Sequence, residues 1–150
     1  PGKKFKFGGI PTFAPEHFAR VSAKDSMKRK QFLKGTEQIA QEGAIQIFKV
    51  PNSGMEEVIV GVVGTLQFDV FQYRMKAEYG VDLRMQQLPY EQLRFITKAP
   101  VTDLKDLYLS TDAELLEDYR GRSLLDFASQ WSINFILKRN PGLELSETAQ

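Results

Sequence analysis

Gly61-Val62-Val63-Gly64-Thr65-Leu66-Gln67-Phe68-Asp69-Val70, running on to Tyr79-Gly80-Val81-Asp82-Leu83, decides how this chain is read. The apolar run Val58 to Val63 predicts a buried strand. Gly64 then offers a sharp turn, and Thr65 stands where a helix cap is wanted. The helix that follows, Leu66 to Tyr79, ends at Gly80, a residue suited to a left-handed C-cap, and a new strand opens at Val81. The unit is strand–helix–strand and carries no catalytic side chain.

Outward from it, the same logic gives the other elements. Glu16 to Ser22 reads as a strand, and Asp25 or Ser26 caps a helix that runs to about Glu42 and stops at Gly43. Ala44 to Val50 is the next strand. Pro51-Asn52-Ser53-Gly54 supplies turn chemistry before the strand at Glu57 to Val63. With Val81–Leu88 the order is β-α-β-β-α-β, so the expected class is α+β, a ferredoxin-like plait over about residues 16–88. An extension over about residues 92–147 follows. It comprises a strand at Gln92–Lys98, a short helix after Pro100 and a strand pair near Glu114–Asp118 and Ser123–Ala128. A helix from Ser129 or Gln130 to Arg139 and a last strand after Pro141-Gly142 complete it. Residues 1–15 read as a lead-in from a preceding domain. The chain starts at Pro1 without a methionine, and the expectation is a fragment of a longer protein.

The two plait helices differ in their faces. At roughly 100° per residue, Phe32, Leu33, Thr36, Ile39 and Ala40 form one apolar stripe, while Lys30, Lys34, Gln38 and Gln41 face away. The second helix is apolar twice over. Leu66, Val70, Tyr73 and Ala77 make one stripe; Phe68, Phe71, Met75 and Tyr79 make another on roughly the opposite side. Two apolar sides call for two covers. The expected cover for the second apolar face, Phe68, Phe71, Met75 and Tyr79, is the C-terminal extension; the alternative is a docking face for another domain.

Composition mainly excludes. With 150 residues, 42% hydrophobic and 26% charged, the chain has the make-up of an ordinary globular domain. The absence of cysteine rules out disulfides, thiolate metal sites and cysteine nucleophiles, and suits a reducing cytoplasm, the expected location. No apolar run approaches the roughly 20 residues of a membrane span, and no signal peptide is visible. His17 is the single histidine and falls in a predicted strand, so a His/Cys metal cluster cannot be built. Glu56-Glu57 and Glu117-Asp118 lie near turns, where adjacent carboxylates are ordinarily solvated. Neither Gly8-Gly9 nor Gly61–Gly64 has the lysine or the spacing of G-x-x-x-x-G-K-[ST], so no phosphate-binding loop is present. No cofactor and no metal are therefore expected on these residues.

Charge is unevenly spread. Lys3, Lys4, Lys6, Arg20, Lys24, Lys28, Arg29, Lys30 and Lys34 all fall within residues 1–40, against Glu16, Asp25 and Glu37. The rest is net negative, with acids at Asp112, Glu114, Glu117 and Asp118. A basic end on a near-neutral domain is either a solvated helix face or a footprint for phosphates.

The wording of several segments goes further than their physics. The Gly61–Leu83 stretch closely resembles the C-terminal domain of the bacterial class II peptide chain release factors, the release factor three family, which are translational GTPases related to elongation factor G. It is similar, more loosely, to the Gly-x-Gly-Glu-Leu-His-Leu-Glu turn in the third domain of elongation factor G. Phe7-Gly8-Gly9-Ile10-Pro11-Thr12-Phe13-Ala14-Pro15-Glu16-His17-Phe18 resembles the aromatic, proline-rich start of the same domain. Gln31-Phe32-Leu33-Lys34-Gly35, Glu42-Gly43-Ala44-Ile45-Gln46-Ile47-Phe48 and Pro141-Gly142-Leu143-Glu144-Leu145 follow in the same order. The likeness extends from Phe5 onward and is thinnest between Leu107 and Gln130.

The resemblance implies a non-catalytic ribosome-docking and coupling domain in a translation-termination factor. In that family the whole protein binds GTP, with magnesium, in a domain absent from this sequence. It speeds the departure of class I release factors after peptide release. The implied partners are the ribosome, both RNA and protein, the preceding domains of the same chain and, indirectly, the class I factors; neither membrane nor DNA is implied. A ribosomal RNA surface nearby makes Lys24, Lys28, Arg29, Lys30 and Lys34 the candidate RNA contacts. Lys30 and Lys34 lie one turn apart on the wet side of the first helix, whereas Arg29 projects nearer the apolar stripe. Two other classes stay open on the residues alone: a small-molecule-sensing regulatory domain on the same plait, and a small hydrolase. The second lacks a visible nucleophile–base pair.

Overall fold

The structure, a computed structural model, describes residues 15–51, 57–90 and 92–147. The lead-in motif from Phe7 to Ala14, Glu56 and the turn residues Asn52 to Gly54 lie outside them. The chain divides into two compact units, residues 1–88 and 89–150.

The first unit contains β1 (His17–Ala23), α1 (Arg29–Gln41), β2 (Gln46–Lys49), β3 (Glu57–Val62), α2 (Leu66–Tyr79) and β4 (Leu83–Leu88). Its strands lie side by side in the order β4-β1-β3-β2, every pair antiparallel. Each helical crossover skips one strand position, which is the arrangement of the split βαβ plait. Register puts Val21 opposite both Val58 and Met85, and Val60 opposite both Ala19 and Ile47. With a period of two, this row points Ala19, Val21, Val58, Val60 and Val62 to one face, where they meet Phe32 and Ile39 of α1 and Phe68, Phe71 and Met75 of α2. The alternate residues are buried as well. Phe18, Phe48 and Ile59 are at most 2% exposed, with the Phe18 and Phe48 rings 6.1 Å apart. Gly61 sits in that row because a Cβ there would come within 2.8 Å of Pro15.

The second apolar face of α2 is thereby core. Phe68, Phe71 and Met75 are buried, and Tyr79 packs at the edge of their cluster. All members of the cluster belong to this unit, so the expectation that the C-terminal extension covers the face is corrected. The plait's own sheet and α1 cover it. Gly35 on α1 explains the close fit: a Cβ there would lie 2.7 Å from the Tyr79 ring and 2.8 Å from the Met75 sulfur. Only a bare backbone lets the two helices approach at that point.

Helix ends follow the sequence with two exceptions. Asp25 does cap, accepting from the Met27 amide at 2.9 Å, but the first turn it starts is a 3-10 turn, Ser26–Lys28, ahead of α1. Thr65 makes no capping bond. Gln67 replaces it: its Oε1 accepts from the Val63 and Gly64 amides at 3.0 and 3.2 Å, and Gly64 itself needs no left-handed backbone. At the other end Gly80 is left-handed, with φ at 69°, as a C-cap glycine should be.

The second unit contains β5 (Gln92–Lys98), a 3-10 turn at Leu104–Asp106, β6 (Ala113–Glu117), β7 (Ser123–Phe127), α3 (Gln130–Arg139) and β8 (Glu144–Ser146). Its strands run β6-β7-β5-β8, again antiparallel. Leu125 and Phe127 point to the side where Ile133 and Ile136 of α3 close the core. The β6–β7 hairpin is pinned by Asp118, which accepts from the Arg120 and Arg122 amides at 3.0 and 2.9 Å and from the Arg122 guanidinium at 2.7 Å. Ser129 caps α3 by accepting from the Ser132 amide. The chain is thus α+β throughout, with the plait first. Among the described residues no helix is long and apolar enough to cross a membrane.

Candidate nucleic-acid interface

The five basic candidates separate into two groups. Lys24 and Lys28 sit where the chain enters α1, beside the C-terminus of α2. Lys28 Nζ donates to the Gly80 carbonyl at 2.7 Å, placing a cation on the C-cap carbonyl at the negative end of the helix. Asp82 lies in the same place, and Lys76 donates to it at 3.0 Å. That bond holds the Asp82 carboxyl below its ordinary range, and the positive charges of Lys24 and Lys28 add to the effect. These two lysines are therefore partly neutralised by a local partner.

Arg29, Lys30 and Lys34 are different. All three are exposed on α1, and none makes an ion pair among the described residues. Arg29 is exposed at the first residue of the helix. Glu42, at the far end of α1, is occupied elsewhere. Glu42 takes both Arg74 Nη atoms at 2.6 and 3.0 Å, and Arg74 Nε reaches Glu78 at 2.8 Å. The hydrogen bonds from Arg74 hold both carboxyls below their ordinary range. Tyr79 completes the tie between the helices by donating its hydroxyl to Gln38.

Beside this basic face, α2 presents its other stripe to solvent. Leu66 and Tyr73 are 71% and 73% exposed, and Val70 stands between them at 48%. Periodicity marked both stripes of α2 as apolar; it could not say which one the sheet would take. Among the described residues no three His, Cys, Asp or Glu side chains gather as a metal set, and His17 lies on β1 between β3 and β4. An open groove of about 710 Å³ runs along α3 and β8, with Arg94 on its wall, but Glu147 already faces that guanidinium at 3.7 Å.

Comparison with known proteins finds relatives along nearly the whole chain. The family model described as "Class II release factor RF3, C-terminal domain" matches residues 7–137. A peptide chain release factor 3 of Symbiobacterium thermophilum is 44% identical over 149 residues, 99% of this chain and 28% of its own length. Its counterpart in Gloeobacter violaceus is 38% identical over 148 residues, again 99% of this chain and 28% of its own length. One from Listeria monocytogenes is 40% identical over 144 residues, 96% of this chain and 27% of its own. The chain spans a little over a quarter of these relatives. With the family model covering most of its residues, the chain belongs to the family of class II release factor C-terminal domains.

Proposed function

We propose that this chain is a non-catalytic docking and coupling domain of a bacterial translation-termination factor. It holds the factor on ribosomal RNA through α1 and receives a preceding domain of the same protein on α2. The observation that carries the reading is the pairing of two unlike faces on adjacent helices: Arg29, Lys30 and Lys34, which make no ion pair among the described residues, and the exposed Leu66, Val70 and Tyr73. Charge without a partner suits phosphates; exposed apolar side chains of this size suit another protein surface. Arg74, Glu42, Glu78, Tyr79 and Gln38 lock the two helices together, so a push on one is felt by the other. In the parent protein, a GTPase domain elsewhere would supply nucleotide and magnesium, and the output would be recycling of class I release factors after peptide release.

The test uses the full-length factor. Lys30→Glu with Lys34→Glu should weaken sedimentation with ribosomes and lower the salt slope of the binding constant by about 2, one for each lost phosphate contact. An unchanged slope with an unchanged dissociation constant would leave this helix face as solvated surface. The chain by itself should bind no GTP by calorimetry, because nothing in it matches a phosphate loop. Micromolar GTP binding to the isolated chain would defeat that part of the reading.

A further inference from the structure

We propose that α3 carries a second, separate RNA contact: a stacking site for an unpaired nucleobase, made by Trp131, Phe135, Arg139 and Tyr108. This deepens the RNA reading above, from which it takes the class of partner, but it uses other residues and recognises bases as well as phosphates.

Trp131, Phe135 and Arg139 are spaced four apart and so share one edge of the helix. The Trp131 and Phe135 rings stack, with centroids 5.2 Å apart and planes 12° from parallel. The Arg139 guanidinium lies 5.3 Å from the Phe135 ring and 4.3 Å from the Tyr108 ring, and Nη2 donates to the Tyr108 hydroxyl at 2.8 Å. Ring, ring, cation and ring thus form one column. It is also held rigid. Asn140, itself buried, accepts from the Tyr108 amide at 2.8 Å and donates to the Tyr108 carbonyl at 2.9 Å.

The core does not require the outer members of this column. The inward face of α3 is Ser132, Ile133 and Ile136. Trp131 is 66% exposed and Tyr108 54%, so the Trp131 face turned from Phe135 is open to solvent. An open indole face backed by a second ring is the platform on which single-stranded bases stack, whatever their identity. The charge agrees. α3 contains no Asp or Glu, Lys138 and Arg139 close its last turn, and neither makes an ion pair among the described residues. From Trp131 to Arg139 is about 12 Å along the axis, a reach that lets a strand stack a base at one end and lay phosphates at the other.

Trp131 is the chain's only tryptophan, so its fluorescence reports this site alone. Titration of the intact 150-residue chain with oligouridylate and oligoadenylate should quench that emission saturably. An RNA duplex of equal charge should bind without comparable quenching, since its bases are already stacked. With labelled oligonucleotide and anisotropy as readout, Trp131→Leu should weaken binding roughly 5- to 150-fold, the range set by one lost base stack. Trp131→Phe should keep most of the affinity, and Arg139→Gln should lower the salt slope by about one. Trp131→Leu should melt where the parent chain melts, because the side chain is exposed. Lys30→Glu with Lys34→Glu should leave the quench amplitude in place, so failure of the α1 reading and failure of this one look different. Equal quenching by duplex, no quenching by single strands, or undiminished binding by Trp131→Leu would each overturn the proposal. So would Trp131→Leu weakening ribosome association while naked RNA fails to quench, which would make the partner a protein.

Discussion

Among the described residues each unit buries side-chain oxygen that makes no well-formed hydrogen bond, and the two cases are unlike. In the plait it is the Thr36 hydroxyl on α1, 1% exposed. In the second unit it is both oxygens of Asp126 on β7, with no exposure at all. Asp126 stands opposite Leu93 of β5 and Glu114 of β6, on the sheet face away from α3. A few residues along the same hairpin, Asp118 is also buried yet takes three hydrogen bonds. The comparison shows what burial alone does to a polar group. A neutral hydroxyl loses one hydrogen bond, the same at every pH; a carboxylate loses the stability of its charge, and escapes by holding its proton. Burial, with the Glu114 charge alongside, pushes Asp126 up to about 8, against a weaker opposing pull from the Phe127 amide. The plait's titrating carboxyls, Glu42, Glu78 and Asp82, are held low by their cationic partners and so give up stability only as the pH falls into the acid range, whereas Asp126 gives the second unit a weak point that titrates near neutral pH.

The largest expected effect tests the first half of that contrast. Phe71 is 1% exposed at the centre of the plait cluster, and Phe71→Ala should cost roughly 3–5 kcal/mol at any pH between 6 and 9. Thermal unfolding of the chain would show it. A variant melting within a degree or two of the parent would mean that α2 is not seated on the sheet as described.

Asp126→Asn addresses the second half. The unfolded carboxyl releases its proton near 3.8 and the native one near 8. Between those values the native state holds a proton that the unfolded state has lost, so stability falls as pH rises and the deficit is complete above about 8. The amide has no such proton. At pH 9 the variant should therefore be more stable than the parent by an amount on the order of kilocalories per mole, with the advantage shrinking as pH is lowered through 6. Denaturant melts across that range measure it. Parallel pH profiles for the two proteins would show that Asp126 is not titrating as its burial requires.

How much of this was legible in the sequence depends on whether one strand or helix carried its own signal. The plait order, the whole span of α2 and the left-handed Gly80 were readable because an apolar run, a helical period and a glycine coincide there. The start of α2 was misread at Thr65, since Gln67 is not a usual capping residue and works here only because its amide reaches back to two free N–H groups. The buried side of α2 was undecidable from two equal stripes. Gly35, on another helix, settles it by admitting Met75 and Tyr79. Asp126 alternates with Leu125 and Phe127 as a solvent-facing strand residue would, and nothing in the local pattern reveals that its face is buried too. The site residues show the same limit. Lys30 and Lys34 became candidates by their spacing, and the Trp131–Phe135–Arg139 column has a spacing that could have been noticed. Tyr108, distant in sequence, could not.

Gly35→Ala sharpens the comparison at the helix crossing. Alanine favours a helix by about 1 kcal/mol over glycine, so an open site would be stabilised. Here the new methyl meets the Tyr79 ring and the Met75 sulfur below 3.0 Å. Overpacking of that kind typically costs 1–3 kcal/mol, so a net loss of about 1 kcal/mol is expected. Pairing it with Met75→Ala should recover part of the loss relative to Met75→Ala alone, because the methyl then fills space that the truncation opens. Simple additivity of the two changes would count against a direct contact.

The smallest effect is expected at Thr36, and it is the control for Asp126. Thr36→Val replaces an unpartnered hydroxyl with a methyl of nearly the same shape, in a position flanked by Phe32 and Ile39 on the buried face of α1. Removing an unsatisfied buried hydroxyl relieves about 1 kcal/mol or slightly more, against a small loss of helix propensity. The variant should therefore be as stable as the parent or modestly more so, by the same increment at pH 6 and pH 9. Denaturant melts at the two pH values suffice. A loss of stability would mean that the hydroxyl has a partner in solution, such as a carbonyl one turn back along α1. A pH-dependent gain would mean that the pH effect assigned to Asp126 is a property of the whole fold rather than of one carboxylate.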